Sequence, residues 1–549
     1  MDQNYLAQLL FPHINLSPAD IEAKFPKRIL PEGAKVTRIA PSPTGFVHFG
    51  SLFPAFVSER LAHQSGGIFY LRIEDTDAKR EVEGADAGII EAFSHYQVFF
   101  DEGALLDGDN GNYGPYRQSL RAEIYQTFAK QLVLEGKAYP CFCTAEELND
   151  IRQKQEADKL ITGYYGEWAV WRDAPIEKIE AALNEGKPFV LRLRSPGNHE
   201  NKLKFTDLIK GVVDITENDI DEVLLKSDGI PTYHFAHAVD DHLMGTTHVV
   251  RGEEWLSSLP KHIQIFSALG FKLPKYLHIS QLMKLSEDGS KKKLSKRDNG
   301  AALADYKKMG YAPECVIEYV MTLLNSNFEE WRMQNPDTPY TEFQFSIKKM
   351  SPSGCLFDFV KLNDVSKNVI SRMSAQKVYD YVSEWAEGYD KDFYSVFTAD
   401  PDYSLAILSI GRGGAKPRKD FAVWSDVKDN IDFFYDKLFL PAYPYPEKLS
   451  AEDIKLILTK YADIYDPSDD QTVWFDKIRT LAADIGFAAD MKEYKKNPDA
   501  FKGNVGDVSS VIRVAVTGRV NSPDMYAVLS VLGQKRVLER ISSALSALN

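Results

Sequence analysis

Between residues 36 and 73 the chain alternates strand, tight turn, helix and strand, and this limits that region to a parallel α/β fold. Val36-Thr37-Arg38-Ile39-Ala40 is an apolar, partly β-branched run. Pro41-Ser42-Pro43-Thr44-Gly45 is a turn former, after which Leu52, Phe53, Phe56, Val57 and Leu61 fall at helical spacing. Gly66-Gly67 stops the helix, and Ile68 to Ile73 returns as an apolar strand. A helical crossover of this kind makes the strands parallel and puts the ligand site at their carboxyl ends. The helix starts just beyond His48-Phe49-Gly50-Ser51, so backbone N–H groups and the positive end of its dipole face that turn. Such a junction suits an anionic phosphate chain.

A second stretch, Lys293-Leu294-Ser295-Lys296-Arg297, complements the first. Residues 272–297 hold eight basic side chains against two acidic, in a chain whose formal net charge is −14. That overall charge argues against a protein that coats nucleic acid but leaves room for a local basic site. His48 is suited to donate a hydrogen bond to a phosphate oxygen, with Gly50 allowing close approach. Lys296 is suited to neutralise charge on an α-phosphate and departing pyrophosphate. Alone, each motif reads as a surface turn or a solvated basic loop. Together they read as two halves of one ATP site.

A chain of 549 residues exceeds one core, so several domains are expected. Residues 1–34 form an extension, expected to be a short helix and a loop; 35–137 and 223–275 form the two halves of the α/β domain. The α/β character is expected to resume at Glu222-Val223-Leu224-Leu225 and run through His248-Val249-Val250-Arg251. Residues 138–222, with charged helical stretches and one strand-like run at Pro188 to Leu193, read as an insertion. Residues 276–400 carry the lysine motif, and 401–549 are helical. The last helix is expected to start with Ser522 as N-cap and Pro523 in its first turn, and to break at Gly533. No apolar run is long enough to cross a bilayer, and no signal pattern opens the chain, so a cytoplasmic location is expected. Cys141, Cys143, Cys315 and Cys355 are too few for a disulfide framework.

Seven motifs in family order carry a resemblance. They are Arg38 to Gly45; His48 to Ser51; Arg72-Ile73-Glu74-Asp75-Thr76-Asp77; Ser227 to Ala236; Asp240-Asp241-His242-Leu243-Met244-Gly245; Arg251-Gly252-Glu253-Glu254-Trp255; and Lys293 to Arg297. On these the chain resembles a glutamyl-tRNA synthetase of bacterial type, a class I aminoacyl-tRNA synthetase. The resemblance is strong over about residues 35–300 and weaker to the end, where Arg513 to Gly518 resembles the anticodon-binding end. It implies a Rossmann-type parallel-sheet catalytic domain, an inserted α+β domain for the acceptor end, and a mainly helical anticodon-binding region.

It implies His48, Ser51, Lys293 and Lys296 as catalytic residues, with Gly50 and Ser295 joining His48 and the lysines around ATP. It implies Arg38, Ala40, Ser42, Glu74, Tyr233, His237 and Arg251 around glutamate, with Glu74 meeting the α-ammonium and Arg72, Asp75 and Asp77 structural. Glutamate carries two carboxylates and one ammonium, so two arginines and one acid suit it. Which arginine takes the side-chain carboxylate stays open. His237 stands where the family commonly has Asn. Cys141 and Cys143 match half of the zinc site of some members, but Tyr164 to Val170 holds no further Cys or His, so no zinc is expected. Mg²⁺ is expected with ATP, its ligands mostly phosphate and water. Arg412, Lys416, Arg418 and Lys419 are candidate tRNA contacts, set against a solvated basic loop.

The implied activity is ligation of L-glutamate to tRNA(Glu) through a glutamyl-adenylate, by a chain expected to be a monomer with no membrane partner. The alternatives are a non-discriminating enzyme that also charges tRNA(Gln), a glutaminyl-tRNA synthetase, and a non-catalytic tRNA-binding paralogue. A truncated relative that modifies a tRNA base is disfavoured by the roughly 250 residues after the lysine motif.

Overall fold

The computed structural model describes residues 2–77, 79–286, 288–294, 302–414 and 416–548. They form two compact units, Met1–Asp305 with Ile317–Asp358, and Tyr306–Val316 with Phe359–Asn549.

The first unit opens with two helices where one was expected. Asp2 caps α1 (Gln3–Leu10), and a Ser17–Asp20 capping box starts α2 (Pro18–Lys24). Leu6, Leu10, Ile14 and Ile21 are buried in one cluster with Tyr125, Phe128 and Leu132, so the extension belongs to the core of this unit. The strand, helix and strand then follow as β1 (Val36–Ile39), α3 (Leu52–His63) and β2 (Ile68–Leu71). β1 and β2 run parallel, from Val36 opposite Ile68 to Ile39 opposite Leu71. Beyond α4 (Ala85–His95), β3 (Glu102–Ala104) continues the parallel order and β4 (Asp109–Asn110) closes it antiparallel. At Gly103, φ is +140° and an added Cβ would lie 2.5 Å from Leu71 O, so only glycine lets β3 approach β2.

After α5 (Ala122–Leu134) comes a second sheet. β5 (Ala138–Cys141), helices α6 (Ala145–Ala157) and α7 (Ile176–Asn184), and β6 (Val190–Leu193) precede the hairpin of β7 (Lys202–Asp207) and β8 (Gly211–Thr216). β9 (Val223–Leu225), expected to resume the parallel pattern, instead pairs antiparallel with β6. Three apolar residues specify a strand but not its partner. The parallel pattern resumes in α8 (Tyr233–Leu243), β10 (His248–Gly252), α9 (Leu259–Ala268) and β11 (Lys275–Ile279), with β10 parallel to β11. Thr247 N–H donates to Val36 O at 2.9 Å, which seats β10 beside β1. A hairpin of β12 (Leu282–Leu285) and β13 (Lys291–Lys293) then presents the start of the lysine motif.

Helices dominate the second unit. Val508, Val511 and Val514 of helix Val505–Thr517 are buried, as are Ile457 and Leu458 of the neighbouring helix Ala451–Ile464. The last helix, Met525–Ala547, is capped by Asp524 rather than Ser522. Asp524 accepts from Ala527 N–H, while the Ser522 hydroxyl accepts from Arg513 Nε. Gly533, at φ +77°, is the expected break.

Candidate active site

A cleft of about 990 Å³ opens at the carboxyl ends of β1, β2, β10 and β11. His48, Gly50 and Ser51 line it, and so do Lys293 and Leu294 from a segment over 240 residues later. The chain also meets itself at a bridge between His48 and Ala302. Ser295 and Lys296 lie outside the described residues. His48 Nδ1 accepts the Gly50 N–H at 2.9 Å, which puts the ring proton on Nε2. A Cβ on Gly50 would come within 2.9 Å of that same Nδ1, so a larger residue there would push the His48 ring out of this position.

The residues expected around an amino acid are at the same cleft: Arg38, Ala40 and Ser42 from the end of β1, Glu74 beyond β2, Tyr233 at the start of α8, and Arg251 near the end of β10. Beneath them is a buried charge network. Asp241 accepts from Arg72 Nη1 at 2.7 Å and pairs with Arg38 Nε at 3.3 Å. Burial pushes the Asp241 carboxyl upward, but Arg38 and Arg72 outweigh it and hold the carboxyl well below its ordinary value. Its neighbour on α8, Asp240, lies 3.8 Å from Arg72 Nε and accepts from Arg121, Gln118 and Tyr125, each at 2.8 Å. Two adjacent carboxylates on α8 thus tie β1, β2 and α5 together. Arg72 is fully buried beneath the cleft and does not line it.

Glu74 behaves oppositely. Burial raises it to about 7 despite the pull of Arg72 and Arg38. Arg72 Nη2 donates to Glu74 Oε1 at 3.1 Å.

His237 corrects the sequence reading. It is fully buried and does not line the cleft; its ring lies stacked on Tyr233, with centroids 5.9 Å apart and 9° between planes. Its Nε2 is 2.9 Å from the Tyr276 hydroxyl, and Nδ1 is 2.8 Å from Asp241 in an off-axis contact that is not a well-formed hydrogen bond. Burial lowers its pKa to about 4. It therefore supports Tyr233 from the layer behind. The cleft also includes Trp255, whose ring centroid is 4.5 Å from that of Tyr233, and Lys226, which donates to Thr76 O. Trp255 stands in one of the seven motifs; nothing in the sequence singled out Lys226.

Cys141 and Cys143 are free thiols, with Cys143 Sγ 3.6 Å from the Tyr164 hydroxyl. Among the described residues no three potential metal ligands cluster.

In the second unit, a cavity of about 260 Å³ is lined by Arg412, Arg418, Arg519 and Phe433. Arg412 is occupied structurally, donating to the carbonyls of Leu408, Ile370 and Met373. Arg418 pairs with Asp420, whereas Lys416 and Lys419 are exposed.

Residues 35–361 match the family of class I tRNA synthetases (E and Q), catalytic domain, and residues 415–545 match an anticodon binding domain. A glutamate–tRNA ligase of Acetivibrio thermocellus is 52% identical, over 99% of this chain and all of that protein. One from Clostridium perfringens is 49% identical over 98% of this chain and all of its own length. Two crystal structures are also similar. A glutamate tRNA ligase from Elizabethkingia meningosepticum, in complex with its amino acid, has TM-score 0.75 and 27% identity, covering 94% of this chain and all of that one. The Elizabethkingia anophelis glutamate-tRNA synthetase has TM-score 0.76 and 28% identity, covering 93% and 100%.

Proposed function

Because the chain belongs to the class I tRNA synthetase family of the glutamate and glutamine type, we propose that the cleft joins L-glutamate to tRNA at the expense of ATP. The relatives are named for glutamate, which disfavours the glutaminyl alternative. The observation that carries the reading is the meeting of His48, Gly50 and Lys293 in one cleft with Arg38, Glu74 and Arg251.

Each group has a task. The His48 Nε2–H and the N-terminal turn of α3 hold the triphosphate, and Lys293 faces charge that builds as pyrophosphate departs. Arg38 and Arg251 receive the two carboxylates, and Glu74 receives the ammonium. The α-carboxylate oxygen attacks the α-phosphorus, the bond to pyrophosphate breaks, and a terminal ribose hydroxyl of tRNA then takes the glutamyl group from AMP. Mg²⁺ would arrive with ATP, its ligands mostly phosphate and water. The matched anticodon domain and exposed Lys416 and Lys419 support tRNA contact by the second unit.

The test is ATP–pyrophosphate exchange with glutamate and tRNA present. Exchange is expected with glutamate and not with glutamine, and His48→Ala should lower its rate by about 100-fold or more, the scale of one lost transition-state contact. Exchange unaffected by His48→Ala would refute the assignment of the phosphate end.

A further inference from the structure

Arg251 differs from the other buried arginines of the cleft in what lies behind it. Arg38 and Arg72 both lean on Asp241. Arg251 leans on nitrogen lone pairs: Nε donates to His278 Nε2 and Nη1 to His262 Nδ1, each at 3.0 Å. Its other supports are Trp255 O at 3.4 Å and the Tyr276 ring, 4.7 Å to the centroid. It forms no ion pair with a carboxylate among the described residues, although it is 5% exposed.

A guanidinium only donates, so this geometry fixes both rings. The His278 proton must sit on Nδ1, 2.7 Å from Asp207 Oδ2. Asp207 is itself held by the N–H groups of Ile209 at 2.9 Å and Lys210 at 2.8 Å. The His262 proton must sit on Nε2, 2.9 Å from His234 Nδ1. Burial pushes His262 well below its ordinary value, lowers His278, and brings His234 to about 4, so all three rings are neutral at neutral pH. Arg251 is thus fixed at two ring nitrogens with no carboxylate bonded to it directly; the Asp207 carboxylate stands one ring behind, across His278. A carboxylate in either histidine's place would orient it equally well and cancel its charge.

We propose that His262 and His278 are positioning residues that aim Arg251, with no carboxylate bonded to it, at the side-chain carboxylate of the bound amino acid, and that this backing by neutral rings makes the cleft prefer glutamate to glutamine. The inference rests on the reading of the cleft given above. A carboxamide matches the carboxylate in shape but offers one acceptor and turns an N–H toward a donor. Against a fully charged guanidinium that mismatch is severe. Against a neutralised one it would be mild.

The experiment compares wild type with His262→Gln, which retains an acceptor, and His262→Glu, which adds a charge. The readouts are the glutamate KM in tRNA charging, the Ki of glutamine as a competitor, and the ATP KM. His262→Gln should keep the ratio of glutamine Ki to glutamate KM within a few-fold. His262→Glu should lower that ratio about tenfold or more, the worth of one charge-assisted hydrogen bond, with the ATP KM held. His278→Leu, which removes an acceptor without adding charge, should raise the glutamate KM about tenfold with the ATP KM unchanged. A merely structural role would instead shift glutamate, glutamine and ATP together. Wild type that charges glutamate, with the ratio unmoved in His262→Glu and the KM unmoved in His278→Leu, overturns this inference alone. Wild type that charges no glutamate overturns the function and the inference together.

Discussion

Glutamate binding should release the proton that Glu74 holds in the empty cleft. Burial lifts Glu74 from its ordinary 4.5 to about 7, more than Arg72 and Arg38 pull it down. Only the ionised carboxylate attracts an ammonium, so affinity should rise with pH up to about 7 and level off above. At pH 6 about one molecule in ten would be ionised, so affinity should be about tenfold weaker than at pH 8. Binding at pH 6 should also release about 0.9 proton, falling to about 0.1 at pH 8. Isothermal titration of glutamate in two buffers of different ionisation enthalpy reads both quantities. The side-chain carboxyl and α-ammonium of free glutamate titrate outside this window, and burial holds His234 and His237 near 4, below it. Glu74→Gln isolates the group: it should bind weakly with no proton release. An affinity that is flat from pH 6 to 8 in wild type, with no buffer dependence, would refute the role given to Glu74.

Other outcomes follow from the same geometry. Asp241→Ala strips the shared partner from Arg38 and Arg72 and should cost about 3–5 kcal/mol in the denaturation transition of the first unit; a loss below about 1 kcal/mol would contradict the network. Gly103→Ala forces a Cβ to 2.5 Å from Leu71 O and should yield little soluble protein, or a lowered melting temperature, by thermal scanning. Metal analysis of purified protein should find zinc well below one per chain; one zinc per chain would show that Cys141 and Cys143 recruit ligands elsewhere. Lys293→Met should slow pyrophosphate exchange while leaving tRNA affinity, measured by filter binding, near wild type.

Much of this site was legible because its residues sit at element ends, where sequence marks are strongest. β1, the Pro41–Gly45 turn and α3 are punctuated by proline and glycine, so the places of Arg38, Ser42 and His48 at a strand end and a helix start follow from local pattern alone. What escaped the sequence was pairing and depth. Val223–Leu225 announces a strand, yet its partner β6 is set by tertiary packing. His237 shares the cleft-facing helix α8 with Tyr233, but four residues on it turns beneath that ring rather than beside the ligand. Nothing in the sequence singled out His262 and His278, because no local pattern shows that both converge on one guanidinium from α9 and β11. Likewise Ser522 and Asp524 are both good caps, and it is Asp524 whose carboxylate reaches a first-turn N–H while the Ser522 hydroxyl accepts from Arg513.

The most direct measurement is transfer of radiolabelled amino acid to purified glutamate-accepting tRNA by the whole chain with ATP. Acid-precipitable label is expected from glutamate and not from glutamine, and it should be lost when Arg251 is replaced by Ala. Efficient charging by the Arg251→Ala variant, or label from glutamine in preference to glutamate, would contradict the account of the cleft.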